Sequence, residues 1–284
     1  MGELDVEARV RRYWLRAEQF EGRCIGDHVR IDGDELHHIR DVCRQSVGDR
    51  FEVLLDGRAH FVEILEERKR ESVARILEVR DVPPLPRPHL HLVLSIPRFP
   101  VFEAVLEKAV ELGVASVQPV FSAQSFLRAD AATWSAKQSR FQKIIVGATQ
   151  QCGRGELMRL AEARPLAEFR TELSERINRT KGGRCLFAYE GGRHADGRPI
   201  PTLSAREALR DWEASAARGE LQDVWIFVGG EGGYSFEEVE QFRELGWVPT
   251  TLGEQVLRVE TACVALVAVL RFELGLMREP TMKS

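Results

Sequence analysis

Two short blocks near the carboxyl end hold the residues best suited to chemistry. They are Val228-Gly229-Gly230-Glu231-Gly232-Gly233-Tyr234-Ser235 and Leu252-Gly253-Glu254-Gln255-Val256-Leu257-Arg258-Val259-Glu260-Thr261-Ala262. Each follows a short apolar run and precedes a helical pattern, so each stands where a strand gives way to a helix. In open α/β sheets, ligands bind at those carboxyl ends of strands. Gly229, Gly230, Gly232 and Gly233 let backbone approach a ligand closely and take positive φ. Their amides, ahead of a helix capped by Ser235, can hold a carboxylate or ring nitrogens. Arg258 offers a permanent cation for a developing anion. Glu260 offers either a base or an ion pair that orients Arg258, and the pair is favoured because carboxylates at such turns often meet a nearby arginine. Glu231 divides between ligand contact and turn structure. A plain strand–helix turn explains one such block about as well as a ligand site does, since turns favour glycine; it explains two together much less well.

The place of the blocks narrows the fold. A dinucleotide-binding or ordinary methyltransferase sheet puts its glycine loop after the first strand. Here only one strand and one or two helices can follow Gly233. No GxxxxGK[ST] sequence is present either, so the site must be assembled late in the chain from consecutive strand ends. The 284 residues are 44% hydrophobic and carry a formal charge of −4, enough for a sizeable core and without a bulk electrostatic case for nucleic acid. Cys24, Cys43, Cys152, Cys185 and Cys263 form no CxxC pair, which predicts reduced thiols and no zinc site. No charged-then-apolar leader opens the chain, and the longest apolar run, Ala262 to Leu270, is too short to cross a bilayer. The expectation is a cytoplasmic protein with no membrane partner and no metal.

The elements that must position the blocks fall into two groups. Four prolines in Asp81-Val82-Pro83-Pro84-Leu85-Pro86-Arg87-Pro88 remove amide donors and fix φ. They predict a first domain over 1–82, a linker over 83–88 and a second domain over 89–284. The first holds short strand-like runs at Arg12–Leu15, His28–Ile31, Arg50–Leu55, His60–Leu65 and Val73–Val79, a hairpin signal at Asp56-Gly57, and one helix over Asp34–Cys43. That is the pattern of a small β-barrel-like domain. The second alternates strands and helices: His89–Ile96, a helix ending at Gly113, Val114–Phe121, a helix from about Trp134 to Gln150 with Thr133 as N-cap, then strands Cys185–Tyr189 and Val224–Val228. A capping box at Ser235–Glu238 opens a helix that ends near Gly246; Trp247–Leu252 is a strand and Thr261–Leu274 a mostly apolar helix. Gly191–Gly197 reads as a loop. The alternation implies an α/β fold, a parallel sheet with helices on both faces.

Taken together, Gly-x-Glu-Gly-Gly and Leu-Gly-x-x-x-Leu-Arg-x-Glu-Thr-Ala resemble the SPOUT class of knotted methyltransferases, and within it the RsmE family. Glu107-Lys108-Ala109-Val110-Glu111-Leu112-Gly113 with Pro119, Gln151-Cys152-Gly153-Arg154, and Leu36-His37-His38-Ile39-Arg40 are similar to that family as well. The resemblance implies a PUA-like RNA-binding domain followed by a SPOUT-type domain whose chain threads its own loop. It further implies methylation of N3 of a uridine in small-subunit (16S) ribosomal RNA, with S-adenosylmethionine held by loops Val228–Gly233, Leu252–Val256 and Leu257–Ala262. The cofactor residues would be Val228, Gly229, Gly230, Glu231, Gly232, Gly233, Leu252, Gly253, Val256, Leu257, Arg258, Thr261 and Ala262, with Arg258 and Glu260 as the catalytic pair. A homodimer is expected, closed in part by the helix over Ala262–Leu270; a plain core helix is an equal reading of that apolar run.

RNA contacts are expected at Gln151 and Arg154, because Lys and Arg outnumber Asp and Glu seven to three between Arg128 and Arg164, although a solvated helix face explains that surplus equally well. In the first domain Arg11, Arg12, Arg40 and Arg44 are the candidates; its balance is slightly acidic, so its RNA role rests on the resemblance. His37 and His38 read as a half-buried helix pair rather than metal ligands. Three positions depart from the family pattern: Gly230 where proline is usual, Gln150 where an acid is usual, and Gln255 where arginine is frequent. They put the target nucleotide in question more than the chemical class. The rivals are an RNA-binding protein that kept the fold and lost the reaction, a knotted methyltransferase with another RNA target, and, more distantly, a flavin or nicotinamide oxidoreductase.

Overall fold

The computed structural model describes residues 10–15, 20, 22–55, 57–126, 131–192 and 200–277. The chain divides into two compact units, Met1–Pro84 with Val146–Leu157, and Leu85–Ile145 with Met158–Ser284. The segment 146–157, which the sequence reading assigns to the second domain, therefore groups with the first.

The first unit is built on β1 (Arg12–Trp14), β2 (His28–Asp32), β3 (Arg50–Leu55), β4 (Arg58–Glu67) and β5 (Glu71–Asp81), in the order β1-β3-β4-β5-β2. Only β1 and β3 run parallel. Alternate residues point inward, as the two-residue period of a strand requires. Val29 and Ile31, Val62 and Ile64, and Ala74 and Ile76 close one core with Tyr13 and Phe51. Asp56 lies outside the described residues; Gly57 after it has φ +75°, the left-handed conformation that a two-residue hairpin needs. The expected helix over Asp34–Cys43 forms in two parts, α1 (Gly33–His37) and a π-helical turn over His38–Val42. The Cys43 amide bonds to His38 O at 2.9 Å, an i to i+5 step that widens the turn. Leu36 and Ile39 stay buried, but Val42 is swung out and is 60% exposed. Apolar spacing reports which side is buried, not a local change of pitch.

The second unit contains β6 (His89–Ser95), α2 (Phe99–Glu111), β7 (Ser116–Phe121), α3 (Ala131–Ser135), α4 (Gln138–Cys152), β8 (Arg159–Leu160), β9 (Arg164–Pro165), α5 (Leu166–Thr180) and β10 (Gly183–Ala188). It continues with β11 (Leu203–Ser204), α6 (Ala205–Ala208), α7 (Trp212–Ala217), β12 (Asp223–Val228), α8 (Phe236–Glu244), β13 (Val248–Thr251) and α9 (Val259–Glu273). The last turns of α4 belong to the first unit's residue range. The strands form one parallel sheet in the order β11-β13-β10-β12-β6-β7-β8, with β9 also on β7. β12 shows why the centre reads as a continuous apolar run. Trp225 and Phe227 pack with Phe169 and Leu173 of α5 and with Val239 and Phe242 of α8. Val224, Ile226 and Val228 alternate to the other face, where α9 lies on β12.

Two of the longer helices differ from expectation. The helix expected over Trp134–Gln150 is broken at Ala136–Lys137, so Thr133 lies inside α3 and is no N-cap for α4. The helix α5 was not anticipated, because Leu166, Phe169, Leu173 and Ile177 form a single narrow stripe among charged residues. At the amino ends of the strands, His91 bonds to Ser116 Oγ at 2.7 Å and to Asp223 Oδ1 at 3.0 Å. Its ring stacks on Trp225 at 4.2 Å. An ionised Asp223 accepts a hydrogen bond from Nε2–H, which leaves Nδ1 to accept from the Ser116 hydroxyl. Three strands are thus tied together by one neutral imidazole.

Candidate active site

The register sets the carboxyl ends of four strands level. Phe187 pairs with Phe227 and with Pro249, and Val228 pairs with Leu94. The chain leaving β10, β12 and β13 therefore gathers at one edge of the sheet, where a cavity of about 770 Å³ opens.

The loop after β12 is a tight turn. Gly233 N bonds to Gly230 O at 2.9 Å. A Cβ on Gly229 would stand 2.7 Å from the Cα of Gly233, so the two backbone strands of the turn touch. Of the four glycines in this loop only Gly233 has a positive φ, +69°, which corrects the expectation that all four would take one. Glu231 reaches across to accept the Arg98 amide at 3.1 Å, tying the turn to the start of α2. That contact gives the side chain a structural task. Ser235 accepts from Glu238 N while Glu238 accepts from Ser235 N at 2.8 Å, the reciprocal cap expected of these residues.

The second block leaves β13 and enters α9, with Arg258 as the residue just ahead of the helix. The cavity wall includes Val228, Gly229, Gly230, Glu231, Gly232, Gly233, Leu252, Val256, Leu257, Arg258, Glu260 and Ala262. The two blocks therefore meet. Gly253 and Thr261 are the exceptions. Gly253 turns locally on the Thr251 hydroxyl, with its amide 3.2 Å from that oxygen, and Thr261 is exposed on the first turn of α9. The ion pair favoured above between Glu260 and Arg258 is not formed: among the described residues neither side chain has a hydrogen-bond or salt-bridge partner. Arg258 stands just ahead of α9 and Glu260 is its second residue, and residues two apart at a helix start do not face each other.

Arg98, Tyr189 and Glu190 also line the cavity, and the sequence reading passed over them. Each lies at or just after the carboxyl end of a strand, Arg98 after β6 and the others after β10, so the strand-end rule applied to every strand would have found them.

The six candidate RNA-contacting residues all fall in the first unit, Gln151 and Arg154 included. Arg12 is not free for a phosphate. Its Nε bonds to Glu52 at 2.8 Å, and Arg80 holds the other oxygen at 2.6 Å. Burial alone would raise the Glu52 carboxyl, but the bonds from Arg80 and Arg12 outweigh it and hold the group below its ordinary value. Gly153, with φ +76°, lets the Gln151–Arg154 segment approach Arg12, whose Nε would lie 3.1 Å from a Cβ there. Arg11 bonds to Cys43 O, Arg40 pairs with Asp41 at 3.0 Å, and Arg44 takes φ +57°. Among the described residues no group of three or more His, Cys, Asp or Glu is placed to hold a metal ion. His37 instead meets Asp41 at 2.7 Å.

Comparison with known proteins bears on the family and the fold. A family model described as the RNA methyltransferase domain matches residues 83–271, and one described as the RNA methyltransferase PUA domain matches residues 31–77. The Bacillus subtilis protein named Ribosomal RNA small subunit methyltransferase E is 26% identical over 250 residues, covering 87% of this chain and 91% of its own length. Its namesake from Helicobacter pylori strain J99 is 27% identical over 247 residues, covering 85% and 93%. Among solved structures, a Legionella pneumophila protein with bound SAM superposes with a TM-score of 0.72 at 25% identity, over 93% of this chain and 98% of its own. The Neisseria gonorrhoeae Ribosomal RNA small subunit methyltransferase E, bound to S-adenosyl methionine, gives 0.69 at 23% identity over 93% and 97%, a likeness of fold.

Proposed function

The chain belongs to the RNA methyltransferase family, and on that premise we propose that it transfers a methyl group from S-adenosylmethionine to N3 of a uridine in small-subunit ribosomal RNA. The observation that carries this reading is the meeting of both carboxyl-terminal blocks on one cavity, with Arg258 and Glu260 on its wall and without a partner among the described residues.

The residues present fit the cofactor. The cavity volume lies within the roughly 300–1,000 Å³ of small-molecule sites. Leu252, Val256, Leu257 and Ala262 supply apolar wall for a nucleoside ring, and the backbone of Val228–Gly233 supplies amides and carbonyls for its polar edges. Nothing lies within 4 Å of where a Gly233 Cβ would stand, so that turn leaves room for a ligand. When bound, S-adenosylmethionine supplies a methyl group already activated on a sulfonium.

N3 of uracil is a weak acid that is mostly protonated at neutral pH, so the protein has three tasks: to take the proton, to steady the uracil anion and to align N3. Arg258 steadies the negative charge that develops on the uracil oxygens. Glu260, with no competing partner among the described residues, accepts the proton. Arg11, Arg40, Arg44, Gln151 and Arg154 bind the RNA backbone, with Arg12 held by Glu52 as a support for the segment beside it. A second copy of the chain covers the outer side of α9, where Phe272 is 72% exposed, and the rim at Val256, 75% exposed; light scattering that finds only a monomer would remove that part of the reading. Ribosomal RNA as substrate places the enzyme in the cytoplasm.

The test is incubation of the purified protein with S-adenosylmethionine and small subunits from a strain lacking the modification, followed by mass spectrometry of the nucleosides. Appearance of 3-methyluridine is expected. A methyl group on a ribose or another base, or none, would overturn the reading.

A further inference from the structure

The loop that follows β7 sets an aromatic ring beside the cavity. Phe126 is 56% exposed, yet its position is fixed. Its amide donates to Ile96 O at 2.9 Å. The turn beneath it is closed by Ser122 N donating to Ser125 Oγ at 2.8 Å, and Ser125 Oγ lies 3.1 Å from Ser95 Oγ and 3.3 Å from Val120 O. Ser95 and Ser125 are buried, at 0% and 6% exposed. The same loop leans on the glycine turn: a Cβ on Gly232 would stand 3.0 Å from Gln124 Cβ. Arg98, on the cavity wall, brings its guanidinium to 5.8 Å from the Phe126 ring centroid. Among the described residues that guanidinium has no acidic partner.

A large ring held in water by a buried hydrogen-bonded turn gains nothing for the fold from its own exposure. It does make a rigid platform for a base, and stacking on an aromatic face tolerates any base. The neighbouring cation narrows the partner further. Apolar surface covering this spot would bury Arg98 without an acid, which is costly. A polyanion would satisfy it, and the planar guanidinium suits a phosphate.

We propose that Phe126 and Arg98 form the shelf on which an unstacked base of single-stranded RNA comes to rest beside the cavity, Phe126 under the base and Arg98 on the adjoining phosphate. The proposal rests on the cavity being an RNA methyltransferase site. The test compares wild type with Phe126→Ala, Phe126→Trp and Arg98→Ala. Steady-state methylation, calorimetric binding of S-adenosylmethionine and RNA affinity by fluorescence anisotropy are measured for each.

Phe126→Ala should raise the KM and Kd for RNA roughly ten- to hundred-fold, while cofactor affinity and oligomeric state stay as in wild type. Phe126→Trp should restore RNA binding, and its added fluorescence should be quenched by an RNA oligonucleotide. Arg98→Ala should weaken RNA binding and lower its salt slope by about one. Unchanged RNA affinity in Phe126→Ala would overturn the shelf, as would a changed oligomeric state or lost cofactor affinity in that variant. A wild type that binds RNA but neither binds S-adenosylmethionine nor methylates would instead defeat the function proposed above, and RNA affinity would still decide the shelf.

Discussion

At the amino ends of β6, β7 and β12, His91 reaches Ser116 at 2.7 Å and Asp223 at 3.0 Å, and Arg176 comes within 3.6 Å of the same carboxylate. At the opposite ends of the sheet, Arg258 and Glu260 face a cavity and have no partner among the described residues. Charged groups thus gather at both ends of one sheet. At the amino end, buried polar groups satisfy one another, as a low-dielectric interior demands. At the carboxyl end the charges remain near water and available. A Ser–His–Asp chain could be mistaken for a catalytic one, but Ser116 is 3% exposed and lines no part of the cavity described above. Pairing marks the groups that hold the fold, and its absence at a cavity marks those left for a ligand.

The sharpest way to break this comparison is to remove a charge from the unpaired end. Arg258→Ala should fold normally and lose methyl transfer to ribosomal RNA by roughly a hundred-fold or more, the scale on which a lost anion-stabilising donor is felt. Turnover equal to wild type would remove Arg258 from the mechanism. Next in size is Gly229→Ala, whose new methyl must displace the Gly233 backbone 2.7 Å away. Calorimetry should then find S-adenosylmethionine binding at least about ten-fold weaker, and an unaltered Kd would mean that the turn does not shape the site.

The paired end should answer in the opposite currency. Asp223→Ala strands His91 Nε2 and Arg176, and should lower unfolding free energy by roughly 1–3 kcal/mol in urea titration, with cofactor affinity untouched. A variant as stable as wild type, or one that loses cofactor binding, would blur the distinction between the two ends.

The smallest effect concerns pH. Burial pushes the His91 imidazole below its ordinary value, against the pull of Asp223. The unfolded chain then takes up a proton near pH 6.5 while the folded chain does not. This contribution to stability is complete above about pH 6.5 and is lost as pH falls toward the folded value. A urea midpoint that declines between pH 7 and pH 5.5, and declines less in His91→Phe, is expected; identical slopes would remove His91 from the account.

Much of the second unit was legible because its central strands are buried on both faces. Such strands write themselves as unbroken apolar runs, and Ser235 with Glu238 announced a helix start by a local exchange of hydrogen bonds. The pitch change after His37 was not legible, because Leu36 and Ile39 satisfy either geometry. The helix α5 was missed because its apolar stripe is only one residue wide. The failed Glu260–Arg258 pair has a different cause: two residues of separation near a helix start do not bring side chains to the same side.

The sequence by itself determined that two glycine-bearing blocks, the second with Arg258, end late strands, because backbone freedom and local periodicity are properties of neighbouring residues. Only the tertiary structure decided that those ends lie level, that Gly253 and Thr261 stand outside the wall, that Arg98 is part of it with Phe126 beside it, and that residues 146–157 join the first unit. Each of those facts depends on strand register and on packing between residues far apart in the chain, where no local rule of spacing reaches.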